Sequence, residues 1–65
     1  MWQFKDKEIA KEYNKRVMAE IIGIRPETLR RVINGTQKCS KLVAYCITKF
    51  LNQEAEIDKY FERVE

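Results

Sequence analysis

Histidine is absent from the 65 residues, glycine and cysteine occur twice each, and proline once. Without histidine the chain lacks both the commonest metal ligand and the commonest general base. Cys39 and Cys46 have neither the close pairing nor the second pair that a structural zinc site requires, so no metal and no cofactor are expected. On one helix, seven positions would separate them by roughly 10 Å, beyond disulfide reach, and both are read as reduced thiols: Cys46 as core filler, Cys39 near a helix start. There is no Gly-rich phosphate loop and no base beside Cys39, Cys46, Ser40 or any threonine, which argues against an enzyme. No apolar run approaches the roughly 18 residues that span a bilayer, and MWQFKDKEIAKEY has no signal-peptide centre. A cytoplasmic protein without membrane or small-molecule partners is the expectation.

What is present is the composition of a folded chain, 45% hydrophobic and 35% charged, in which the scarcity of breakers favours helices. Sixty-five residues make one domain, 1–65, close to the lower size limit for a single unstapled core. Charge is uneven: residues 1–53 hold 11 Lys/Arg against 5 Asp/Glu, whereas residues 54–65 hold 2 against 5. The basic part suits a polyanion, and the acidic end, with Glu54, Glu56, Asp58, Glu62 and Glu65, is expected on the side away from it.

Five short helices are expected, and no strand. Asp6 caps a first helix to about Tyr13, with Ile9 and Tyr13 on one face and Trp2 and Phe4 folding in before it. Asn14 caps a second, in which Val17, Met18, Ile21 and Ile22 have the spacing of a buried face before Gly23. Pro26 suits the first position of a third helix; Leu29, Val32 and Ile33 form its inward stripe, and Asn34-Gly35 closes it. Ile33 is read as core, the alternative being a small exposed apolar contact. Ser40 caps a fourth, central helix with Leu42, Val43, Tyr45, Cys46, Ile47, Phe50 and Leu51 around much of its circumference. After a break near Asn52 and Gln53, Ile57, Tyr60, Phe61 and Val64 fall at i, i+3, i+4 and i+7 of a last helix. That stripe either closes the monomer core or leaves a possible dimer interface. Trp2, Tyr13, Tyr45 and Tyr60 are read as packing residues rather than base-stacking platforms.

Two short helices meeting at a tight turn on a central apolar helix have the layout of a helix-turn-helix, residues about 15–35. The stretch VMAEIIGIRPETLRRVINGTQKCSKLVAYCITKFL resembles the helix-turn-helix proteins of the Xre, Cro and lambda-repressor type. Met18-Ala19 stands at the family's Leu-Ala position and Gly23 at its turn. Leu29 and Val32 stand at the buried positions of its recognition helix, Asn34-Gly35 at its end, and EIDKYF resembles its closing segment. Lys15 stands where the family commonly places Gln and Arg25 where it places a small polar residue, and residues 1–13 do not align well with its first helix. The resemblance implies an all-α, five-helix, lambda repressor-like domain. It also implies a compact Cro-like repressor of a phage or mobile element that binds double-stranded DNA, acting in a bacterial cell or phage-infected host as a homodimer on its operator. No effector-binding or self-cleavage domain is expected.

On that resemblance the helix from Pro26 enters the major groove. Arg31 and Arg30 would read guanine, Glu27 a cytosine amino group, and Thr28 a thymine methyl or a phosphate. Lys15, Arg16, Arg25, Asn34, Lys38 and Lys41 would contact phosphates, and about six such contacts predict a salt slope of roughly −5 per subunit. The alternative is a protein-interaction module or antirepressor that keeps the fold and binds another regulator through the last helix or the apolar N-terminus. The DNA reading predicts a contiguous basic face; the alternative predicts an exposed apolar patch and little affinity for duplex.

Overall fold

The computed structural model describes residues 1–64. The chain order is strand β1 (Trp2–Phe4), a 3-10 turn (Lys7–Ala10), helices α1 (Lys15–Ile22), α2 (Pro26–Asn34), α3 (Lys41–Leu51) and α4 (Ile57–Tyr60), and strand β2 (Phe61–Arg63). The expected all-α, five-helix architecture is therefore corrected: this is a small mixed domain of helices with one two-stranded antiparallel sheet. No helix among the described residues is long and apolar enough to cross a membrane.

The two ends of the chain depart from expectation together, because they pair with each other. β1 and β2 run antiparallel with Trp2 opposite Arg63, Gln3 opposite Glu62 and Phe4 opposite Phe61. The rings of Phe4 and Phe61 meet edge to face, with centroids 5.1 Å apart. Tyr60 to Val64 thus does not continue as a helix. After four residues the backbone turns extended at Phe61 (φ −126°, ψ 154°), which carries the Phe61 ring into the core beside Phe4. On its other edge, Trp2 exchanges two 2.8 Å backbone hydrogen bonds with Cys39, which ties β1 to the loop ahead of α3.

Between β1 and α1, where a first helix from Asp6 to about Tyr13 is expected, no α-helix forms. What forms is a 3-10 turn whose start is capped by Asp6, accepting from the Glu8 N–H. Ala10, not Ile9 or Tyr13, is the buried residue here. Downstream the local signals act as read. Asn14 Oδ1 accepts from the N–H groups of Arg16 and Val17 at 3.0 and 3.3 Å. Ser40 Oγ accepts from Val43 N–H at 3.3 Å, and Pro26 opens α2. Both glycines sit in the left-handed region, Gly23 at φ 93° and Gly35 at φ 81°, where a side chain would strain the backbone.

Phe61, Met18, Leu29, Ile47 and Val32 are fully buried at the centre, with Ile33, Cys39 and Phe4 close behind. The inward stripe of α2 is thus Leu29, Val32 and Ile33, as its spacing predicts. On α1 the buried pair is Met18 and Ala19, while Val17 and Ile21 lie exposed, contrary to the four-residue face expected. α3 buries Ala44, Ile47 and Thr48 and leaves Leu42 and Tyr45 in solvent.

Candidate nucleic-acid interface

The turn between α1 and α2 is fixed by the Ala19 carbonyl, which accepts from both Gly23 and Ile24 N–H at 2.8 and 3.0 Å. A three-residue connection then leads into Pro26, so α1 and α2 pack directly as a helix–turn–helix unit. Because Leu29, Val32 and Ile33 are buried, helical periodicity forces the remaining α2 side chains outward. Glu27, Arg30, Arg31 and Asn34 are exposed and Thr28 is half-buried. At the joint of the helices Arg16 from α1 and Arg25, Pro26, Glu27 and Arg30 from α2 line one shallow depression. None of Arg16, Arg25, Arg30 and Arg31 forms an ion pair among the described residues, where the ion pair found is Lys11–Glu8 at 3.7 Å.

The far end of α2 is held rigidly. The Arg31 carbonyl accepts from Thr36 and Gln37 N–H at 3.0 and 3.2 Å and from Thr36 Oγ1 at 3.2 Å. Gln3 Nε2 donates to the Gly35 carbonyl at 3.2 Å, so β1 braces the helix terminus. Lys38 and Lys41 follow as exposed side chains on the loop and at the start of α3.

Lys15 does not join this face freely. Its ammonium donates to the Ala10 carbonyl and, at 3.0 Å, to the Tyr13 carbonyl, closing the 3-10 turn onto the start of α1. Of the phosphate-contacting set proposed from sequence, the side chains of Arg16, Arg25, Asn34, Lys38 and Lys41 are exposed, and Lys15 is half-buried and engaged. The possible dimer stripe also dissolves: Tyr60 and Phe61 lie in the monomer core, and Ile57 and Val64 are half-buried rather than prominent. The acidic residues Glu54, Glu56, Asp58 and Glu62 are exposed along the C-terminal segment. Glu65 lies outside the described residues.

Sequence reasoning missed one basic grouping. The sheet brings Met1, Trp2 and Arg63 beside Ser40 and Lys41 around a second shallow depression. The N-terminal ammonium is near enough to act on the Cys39 thiol, pulling its pKa down, but burial pushes the other way more strongly and the net shift is upward. Nothing local predicts this juxtaposition, because Arg63 and Met1 meet Lys41 only through strand pairing across nearly the whole chain.

Comparison with known proteins finds no matching family model, no matching curated protein and no matching solved structure.

Proposed function

We propose that the protein is a sequence-specific, double-stranded DNA-binding transcriptional regulator, with α2 as the helix that enters the major groove. The observation that carries the reading is the outward face of α2. Arg30 and Arg31 are exposed and form no ion pair among the described residues, and Arg30 shares a depression with Arg16 and Arg25 at the helix joint. Four guanidinium groups without carboxylate partners among the described residues, Arg16 on α1, Arg25 in the turn and Arg30 and Arg31 on α2, form a surface suited to a polyanion. A single helix matches the roughly 12 Å width of the major groove.

In this reading Arg31 and Arg30 donate paired hydrogen bonds to guanine O6 and N7. Glu27 accepts from a cytosine amino group, and Thr28 meets a thymine methyl or a phosphate. Arg16, Arg25, Asn34, Lys38 and Lys41 set the register on the phosphates. With Lys15 engaged elsewhere and Asn34 uncharged, four cations (Arg16, Arg25, Lys38 and Lys41) give a salt slope of roughly −3 to −4 per subunit. The resemblance to Xre and Cro regulators extends the proposal to a small repressor of a phage or mobile element, acting in the cytoplasm of a bacterial cell or infected host by occupying an operator.

Arg31→Ala tests the assignment. It should cost about 1–3 kcal/mol on the cognate site and flatten the preference at one base pair. Equal loss on every sequence would remove Arg31 from the base readers. A second reading, a module that binds another protein regulator, draws on the exposed apolar residues of α1 and α3. It predicts that the α2 arginines can be replaced without loss of partner binding.

A further inference from the structure

Among the described residues, five of the seven large exposed apolar side chains lie on α1, on α3 or just before α1, the other two being Met1 and Ile9. Tyr13, Val17 and Ile21 follow one another at four-residue intervals along α1 and the residue before its cap, and are 38%, 48% and 66% exposed. Leu42 and Tyr45, 71% and 49% exposed, share one face of α3 at three-residue spacing. The two sets are neighbours in space. Tyr13 stacks edge to face on Phe50 of α3, and Ile21 and Ile22 line a groove with Tyr45, Cys46 and Phe50, closed by Lys49, whose ammonium lies over the Tyr45 ring, and Gln53.

We infer that this α1–α3 face is a self-association surface, and that its occupant is the same face of a second copy of the chain. Two observations favour a copy. The first is shape: a ridge (Tyr13, Val17, Ile21) lies alongside a groove (Ile21, Ile22 against Tyr45, Cys46, Phe50). A twofold axis then sets the ridge of each copy into the groove of the other, the self-complementary arrangement that an isologous dimer requires. The second is size. If a residue of this kind presents roughly 150–200 Å² when fully open, the five exposed fractions leave about 400–550 Å² of apolar surface. At the roughly 60% apolar share of a dimer interface this corresponds to about 700–900 Å² per partner, the area of a stable, specific association.

The inference stands on the apolar face and not on DNA binding, and its test uses no DNA. Sedimentation equilibrium of the full chain from about 10 µM to about 1 mM should show the mass rising from 7.8 kDa toward twice that value. Ile21→Glu, at an exposed position the fold can accommodate, should hold the monomer mass over the same range with an unchanged melting temperature. Amide chemical shifts of the wild type should move with concentration on α1 and α3 and not on α2. A wild type that stays at monomer mass throughout overturns the inference. So does an Ile21→Glu variant that dimerises as tightly as the wild type, or a dimer whose shift changes map to α4 and β2.

Discussion

Replacing Lys15 by methionine keeps the aliphatic stem but removes the ammonium that donates to the carbonyls of Ala10 and Tyr13. Hydrogen bonds to a charged group contribute roughly 1.5–3 kcal/mol when well shielded; Lys15 is half-buried, so water recovers part of the loss and about 1–2 kcal/mol is expected. In a domain of this size that corresponds to a fall in Tm of about 5–15 °C. The DNA side of the same experiment should be silent: log affinity against log salt keeps its slope, because this ammonium is occupied by backbone oxygens. Arg16→Ala, one residue on, should do the reverse. Its side chain is exposed and forms no ion pair among the described residues, so stability should change by less than about 0.5 kcal/mol, while the salt slope falls by about 1. Thermal melts followed by circular dichroism, together with binding isotherms at several salt concentrations, measure both quantities on both variants. A Lys15→Met protein with unchanged Tm and a shallower salt slope would refute the reasoning. It would mean that the ammonium leaves the turn for a phosphate.

Four other substitutions probe the core, the exposed face of α3 and the chain ends. Thr48 is fully buried and its Oγ1 has no hydrogen-bond partner, so Thr48→Val should raise stability by about 1 kcal/mol in a urea titration, and a loss would show that the hydroxyl is satisfied in solution. Phe61→Ala should cost about 3–5 kcal/mol, a large part of a small domain's total, whereas Leu42→Ala on the exposed face of α3 should change little; comparable small effects would return Phe61 to the surface. Burial raises the Cys39 thiol above its ordinary value of 9.0, with the N-terminal ammonium opposing weakly. A raised folded value favours the neutral thiol, so this contribution is complete below pH 9 and is lost as pH climbs through the raised value. Cys39→Ala should therefore reduce the alkaline fall in stability, measured as Tm against pH, and no change in that fall would exclude the thiol as its source.

The helix starts and stops were written in single residues and could be read there. Asn14, Pro26 and Ser40 begin helices, and Gly23 and Gly35 end them through left-handed backbone that other residues adopt only with strain. The outward set of α2 followed from Leu29, Val32 and Ile33 alone. The sheet was not legible, because Phe4 and Phe61 are partners 57 positions apart and neither three-residue strand carries a pattern of its own. Ile57, Tyr60, Phe61 and Val64 satisfy a helical period that their backbone abandons after Tyr60. Tertiary pairing with β1 outweighs local spacing in that segment. Lys15 shows the same limit at the candidate interface: motif position marks it as basic and near the groove, but only the path of the preceding turn reveals the carbonyls that hold it.

The central claim is that α2 reads base sequence. Selection of random duplex DNA against the purified chain at about 0.15 M salt, followed by sequencing of the bound pool, tests it most directly. The expected result is an enriched motif that includes a guanine whose preference disappears when the selection is repeated with Arg31→Ala. Retention of duplex with no enriched sequence, or no retention at all, would contradict it.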